Sequence, residues 1–323
     1  MTERPTIAED DCNSDVKDLV ALLPVAYFGS DLTAAVQSYQ RSRGLDPDGI
    51  VGPKTWDALE NNAPPYVPPG LPAPMSDAMQ SGICDLAENS LIAQYDWADR
   101  GRAPVGYIKG VALAFGNAYR QWRIGYPPAM NMARANTGNA DKDALAWYAG
   151  EFNDLGMSNE KDGRRTLRHL WVLLMGLGMR ESSGQHCCGR DMSASNTSSD
   201  TCEAGAWQTS YDAHGCSDDW DTLFEAFAAA VETDNPQGFL AAFHEDVECS
   251  SSNWDCYGSG SGYLHQEMSK GQPAYAAEVC AVTLRCLRQH YGPINRREAE
   301  LRLEADDLLH EVQDYIDDAE PAA

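Results

Sequence analysis

The apolar positions along the chain fall mostly at helical spacing. Val105 to Trp122 is rich in Ala, Leu and Tyr in a helical pattern, and Leu145–Leu155 is short and amphipathic. Arg165–Arg180 is apolar nearly all round, through Leu167, Leu170, Trp171, Val172, Leu173, Leu174, Met175 and Leu177. Such a pattern predicts a helix buried on every side. Thr222–Glu232, Pro236–Val247 and Tyr275–His290 predict further helices. From Asn295 to Glu320 acidic residues dominate, yet Leu301, Leu308, Leu309, Val312, Tyr315 and Ile316 share one face. That predicts a helix docked on the domain rather than a solvated acidic tail. No sustained alternation predicts a large sheet, so the fold class is mainly α.

The pattern breaks at residues 61–75, NNAPPYVPPGLPAPM, which hold six of the 17 prolines. This stretch favours an extended, semi-rigid spacer. It divides the chain into a small module, 1–60, a linker, 61–75, and a larger domain, 76–323. In the small module, Leu19, Leu22 and Leu23 follow helical spacing. Thr33, Val36, Tyr39 and Gln40 predict a second helix that stops at Gly44. Asp46-Pro47-Asp48-Gly49 is a turn signal, and Pro53-Lys54-Thr55-Trp56 starts a third helix at its proline.

The run GLDPDGIVGPKTWDAL, with Asp15-Val16-Lys17, Leu19, Phe28-Gly29, Thr33, Ala35-Val36 and Tyr39-Gln40 before it, resembles the peptidoglycan-binding domain type 1 family. The resemblance implies a three-helix binder of bacterial cell-wall material, with Tyr39, Asp48 and Trp56 as its wall-binding candidates. The family's usual Asp-Gly before Phe-Gly is replaced here by Ala26-Tyr27.

Composition narrows the function classes. With 43% hydrophobic and 23% charged residues the 323-residue chain is globular, and its net charge of −25 repels phosphate. Nucleic acid and anionic lipid are therefore not expected partners, and no membrane span is expected, because His169–Met179 falls far short of ~20 apolar residues. The apolar run Leu19–Ala26 follows Asp15, Lys17 and Asp18 rather than a cationic stretch, so no signal peptide is read there. Eight of ten cysteines lie between Cys187 and Cys286, and no CxxC pair occurs. That predicts a disulfide-stapled domain working outside a reducing cytosol, with at least three disulfides, no metal and no cofactor. Cys249 and Cys256 flank a Ser/Asn loop they could close. Cys280 and Cys286, on one helix, lie ~9 Å apart along its axis and need partners elsewhere.

The buried helix ends in Arg180-Glu181-Ser182-Ser183-Gly184. A glutamate there is desolvated and faces the negative end of the helix dipole, and both raise its pKa. A carboxyl kept protonated near neutral pH is what a general acid needs to protonate a glycosidic oxygen. A salt bridge to Arg180 or another arginine is the competing reading. His186, His214 and His244 offer metal or nucleophile chemistry, and Cys187-Cys188 beside His186 a thiol site, although adjacent cysteines in a Cys-dense domain read as disulfide partners.

Glu181-Ser182-Ser183-Gly184 followed by Gly205-Ala206-Trp207-Gln208-Thr209-Ser210 resembles the lysozyme-like superfamily, especially soluble lytic transglycosylases and goose-type lysozymes. By this resemblance the larger domain is all-α and lysozyme-like, Glu181 is the catalytic acid, and Ser182 belongs to the cleft motif. Gln208 would hydrogen-bond a sugar amide, and Trp207 or Tyr211 would offer an aromatic face to a pyranose. Phe243, in Ala241-Ala242-Phe243-His244, stands where the family carries a tyrosine. A second carboxylate decides the mechanism: inverting hydrolases need it ~6.5–9.5 Å from the acid, retaining ones ~5–5.5 Å. Glu203 is the first choice, Asp191 the second, with Asp200 and the more remote Glu245 behind them. The combined reading is a monomeric muramidase, exported or delivered by a phage or secretion system, that cuts the β-1,4 bond between N-acetylmuramic acid and N-acetylglucosamine in peptidoglycan glycan strands. A lytic transglycosylase, a chitinase or chitosanase on the same fold, and a non-catalytic wall-binding protein are the alternatives.

Overall fold

The computed structural model describes residues 36, 40, 45, 49–60, 73–190, 198–232 and 238–321. The chain divides into two units, one of Met1–Gly70 with Ser259–Ser261 and one of Leu71–Gly258 with Gly262–Ala323. The protein is mainly α, and no helix among the described residues is long and apolar enough to cross a membrane.

In the first unit, helix α1 (Pro53–Glu60) begins at its proline, as the turn chemistry predicts. Gln40 is 2% exposed and ties the preceding turn to this helix. Its side-chain amide donates to the Ile50 carbonyl at 2.9 Å and to Thr55 Oγ1 at 3.2 Å, while its Oε1 accepts the Gly49 N–H at 2.9 Å. Trp56 is also 2% exposed, so this wall-binding candidate is a core residue of the module. Tyr39 and Asp48, the other two, lie outside the described residues.

The second unit contains α2 (Asp77–Asn89), α3 (Val105–Arg123), α4 (Pro127–Met132), α5 (Ala144–Trp147), α6 (Ala149–Asp154) and α7 (Arg164–Ser182). After these come α8 (Asp218–Glu232), α9 (Leu240–Phe243), α10 (Gly260–Gly271), α11 (Pro273–Cys286), α12 (Gly292–Asn295) and α13 (Leu303–Ala319). A two-stranded hairpin pairs β1 (Asp96–Trp97) with β2 (Gly101–Arg102). Helix α7 is sheathed by α3, α11 and α13, and its residues from Leu170 to Leu177 are buried. The buried arginine in its second turn, Arg168, is neutralised by α13: it reaches the Asp306 carboxylate at 2.6 and 3.1 Å and Gln313 at 3.1 Å. Helix α13 in turn buries Ala305, Leu308, Leu309, Val312 and Ile316, the apolar face read from the sequence.

Three sequence expectations are corrected here. Pro236–Val247 is not one helix: the described part holds only the short α9, because Phe239 is left-handed (φ 53°) before it and Asp246 (φ 58°) after it. The Leu145–Leu155 helix is broken at Tyr148 into α5 and α6. Among the described residues there are two disulfides, Cys187–Cys249 and Cys216–Cys286, with Cys84, Cys188, Cys202, Cys256 and Cys280 free. Cys249 therefore does not close the loop to Cys256, and Cys280 sits as a thiol in the core, where burial pushes its pKa up. Each bridge contributes ~2–4 kcal/mol by restricting the unfolded chain.

Candidate active site

The end of α7 is where the apolar helix meets solvent. Ser183 (φ 57°) and Gly184 (φ 78°) close it, with the Ser183 N–H on the Met179 carbonyl and the Gly184 N–H on the Gly178 carbonyl. Gly184 is required twice over: its φ is left-handed, and a Cβ there would lie 2.7 Å from the Tyr107 ring. Two turns earlier, Gly176 lets the segment after α12 pass, since a Cβ would lie 2.2 Å from the Glu300 carbonyl oxygen. Glu300 then accepts from Tyr95 Oη and the Ala98 N–H, both at 2.8 Å, which ties that segment to the β1–β2 hairpin. The hairpin delivers Arg100, whose guanidinium donates to the Arg180 carbonyl.

Glu181 sits in this frame, in the last turn of α7 and only partly exposed. Burial pushes its carboxyl up to about 7 from an ordinary 4.5. The negative charge of Glu203 adds to the rise, and Arg296 and Arg100 oppose it more weakly. The nearby arginines have carboxylates of their own. Arg180 lies 3.4 Å from Glu298 and 3.8 Å from Asp99, and Arg296 meets Glu298 at 2.9 Å. Glu181 makes no hydrogen bond or ion pair among the described residues, so the salt-bridge reading does not hold. The chemistry available is a carboxyl that exchanges its proton near neutrality, with a second carboxylate close enough to influence it.

The Gly205–Ser210 segment folds as a tight hairpin closed by an antiparallel bridge between Ala204 and Thr209. Cys188, four residues beyond Gly184, links it to the helix end: its carbonyl accepts the Gly205 N–H at 2.9 Å. Gln208 is held in the left-handed region (φ 51°), a conformation a non-glycine residue adopts only when its surroundings impose it. Its amide nitrogen donates to the Gly205 carbonyl at 2.9 Å and to the Cys188 carbonyl at 3.5 Å. Thr209 is anchored by Tyr291 Oη at 2.8 Å and, through its carbonyl, by His265 Nε2 at 2.9 Å.

Several sequence-derived site residues fall elsewhere. Trp207 is fully buried and donates its indole N–H to the Leu174 carbonyl at 2.9 Å, so it is core and cannot stack on a sugar. Ser182 turns its hydroxyl back onto the Gly178 carbonyl at 3.1 Å and serves the helix end. Tyr211 is half-buried, with one ring face stacked on His214 at 4.7 Å and its edges on Trp220 and Phe224. Glu245 is paired with Lys109 at 2.9 Å, which removes it as second carboxylate. Asp191 lies outside the described residues. Phe243 is fully buried against Trp207, and a Cβ on Gly110 would strike its ring. Its position is a core position, so the absent phenol hydroxyl says nothing about the cleft. His214 is bonded to Asp221 at 3.1 Å and stacks on Tyr211. Arg100, Arg296 and Glu298, which set the electrostatics around Glu181, carry no local motif; they arrive from segments remote in sequence.

Residues 18–59 match the family model described as "Putative peptidoglycan binding domain". A Kitasatospora aureofaciens protein described as "Uncharacterized protein in bpoA1 3'region" is 42% identical over 69 residues. That match takes in 18% of this chain and 58% of that protein, so the chain spans little more than half of that relative's length. No solved structure matches. The N-terminal segment is thus similar to peptidoglycan-binding domains. Together with the two disulfides this points to work outside the cytosol.

Proposed function

We propose that the protein is a wall-lytic glycosidase. The N-terminal domain holds it on peptidoglycan, and Glu181 protonates the leaving oxygen of the β-1,4 bond between N-acetylmuramic acid and N-acetylglucosamine. The observation that carries this is the Glu181 carboxyl itself: partly buried, without a hydrogen-bond or ion-pair partner among the described residues, and raised to about 7 beside Glu203. A group with that pKa is about half protonated at neutral pH, where an ordinary glutamate is almost wholly ionised. Glu203 supplies negative charge to the oxocarbenium-like transition state and acts on the opposite face of the sugar as base or nucleophile. The Gln208 amide oxygen accepts from the sugar N-acetyl N–H. Tethering raises the local concentration of glycan without adding a catalytic contact.

A second reading, lytic transglycosylase chemistry with Glu181 as acid and then base, is favoured by one observation. Phe243 is a core residue, so its lack of a hydroxyl no longer argues against a lone-glutamate mechanism. The products separate the two, because a 1,6-anhydro end is one water lighter than a reducing end. The test of the shared claim is Glu181→Gln, which keeps shape and removes the proton donor. Clearing of wall suspensions is expected to fall by at least ~10²-fold; near-normal clearing would sink the assignment.

A further inference from the structure

Around the first disulfide lies a cluster that the Glu181 site does not use. His186 is fully buried and stands two residues beyond Gly184. Its Nδ1 lies 3.0 Å from the Lys270 carbonyl oxygen, which can only accept, so Nδ1 carries the proton and Nε2 is a bare lone pair. That lone pair faces His244 Nδ1 at 3.0 Å, and Cys249 Sγ lies 3.7 Å from the first nitrogen and 3.9 Å from the second. All three atoms fall within 4.8 Å of one another. The rings are held from outside: Trp254 packs edge-on against His186, and Lys270 is clamped by the Asn253 and Asp255 carbonyls at 3.0 and 2.9 Å.

The spacing suits a cation. With metal–nitrogen bonds of ~2.0–2.1 Å and a metal–sulfur bond of ~2.3 Å, a tetrahedral zinc site places its nitrogens ~3.3 Å apart and each nitrogen ~3.6 Å from the sulfur. The observed separations differ from these by a few tenths of an ångström, within the reach of side-chain rotation, and His244 is exposed. The His186 Nδ1–H on a backbone carbonyl is also the outer hydrogen bond that ligating histidines usually make.

We propose that His186 Nε2, His244 Nδ1 and Cys249 Sγ form a redox-gated site for a divalent cation of the zinc class, with water as fourth ligand. The dithiol form binds the cation and the Cys187–Cys249 disulfide excludes it. A dithiol reductant opens the disulfide by giving two electrons and two protons, leaving two protein thiols and its own disulfide. The cation then displaces the proton from Cys249 Sγ, which is released, while the His244 proton moves from Nδ1 to Nε2. A disulfide sulfur has no thiolate to give, so loading and oxidation compete for one atom. The Cys188 carbonyl beside Cys187 accepts the Gly205 N–H, so the gate adjoins the hairpin that carries Gln208. The site does not depend on Glu181 being catalytic.

Cobalt(II) titration of the full chain tests this, in the oxidised form and after reduction with a phosphine under anaerobic conditions. The reduced protein should take up one equivalent, with the intense visible bands of tetrahedral cobalt and a thiolate-to-cobalt charge-transfer band; the oxidised protein should show neither. His244→Ala, at an exposed position, and Cys249→Ser should each weaken binding by at least ~10-fold. His214→Ala, outside the cluster, should leave it unchanged. Equal uptake by both redox forms, no thiolate band on reduction, or undiminished binding by the His244→Ala variant would overturn the proposal.

Discussion

Replacing Glu181 by glutamine should stabilise the protein, and the gain should depend on pH in a way fixed by the site. The unfolded chain releases this proton near the ordinary 4.5, whereas the folded chain keeps it to about 7. Between those values the folded state binds more protons than the unfolded one, so stability falls as pH rises through the window and levels off above it. Below 4.5 both states are protonated and the residue contributes nothing. The gap corresponds to on the order of 3 kcal/mol of unfavourable burial of charge above pH 7. Glutamine carries no such cost. Denaturant unfolding of the two proteins between pH 4 and 8.5 should show stabilities that coincide at pH 4. They should separate progressively to about pH 7, with the variant more stable by up to ~3 kcal/mol at pH 8. The measurement needs no assumption about substrate. A difference that is flat across the pH range would mean that the carboxyl is not held up by its surroundings, and the argument for a general acid would fall with it.

Other expectations follow from single contacts. Gly184→Ala should lower stability by ~1–3 kcal/mol, read as a fall in melting temperature, because it sets a Cβ against the Tyr107 ring on a left-handed backbone. Phe243→Tyr should also destabilise by ~1–3 kcal/mol and leave wall lysis no faster, because a hydroxyl there is buried in the core; increased turnover would return that position to the cleft. Alkylation of the unfolded, unreduced chain followed by peptide mapping should find Cys84, Cys188, Cys202, Cys256 and Cys280 as thiols, and a Cys249–Cys256 bridge would contradict the structure. A chain begun near Met75 should still cut soluble oligosaccharides but lose activity on dilute sacculi; equal activity on sacculi would make the N-terminal domain dispensable.

The fold was most legible where burial is apolar. Helix α7 announced itself through Leu167–Leu177, and α13 through its one apolar face, despite its acidic composition. Helix α10 gave no such signal, because the side it buries is His265, Gln266, Ser269 and Lys270 with Met268, polar groups satisfied by hydrogen bonds that periodicity does not register. Helix α2 buries Met79, Ile83 and Ala87 behind the Ser76 cap, a short apolar face whose signal is masked by the proline-rich stretch just before it. At the site, the position of Glu181 at the end of a buried helix is readable from the sequence, and the structure hydrogen-bonds Gly205 to Cys188 just beyond that end. The arginines around it were not, since Arg100 and Arg296 reach α7 from the β1–β2 hairpin and from the segment after α12. Trp207 misled for a plain reason: a tryptophan in a motif looks the same in sequence whether its ring lines a cleft or fills a core.

Mass spectrometry of the muropeptides released from purified sacculi by the wild-type protein and by its Glu181→Gln variant reads out which bond is cut and whether Glu181 is needed to cut it. Disaccharide-peptides with N-acetylmuramic ends are expected from the wild type and essentially none from the variant. Fragments cut only within the peptide stems, or the same glycan fragments from both proteins, would contradict the glycosidase proposal.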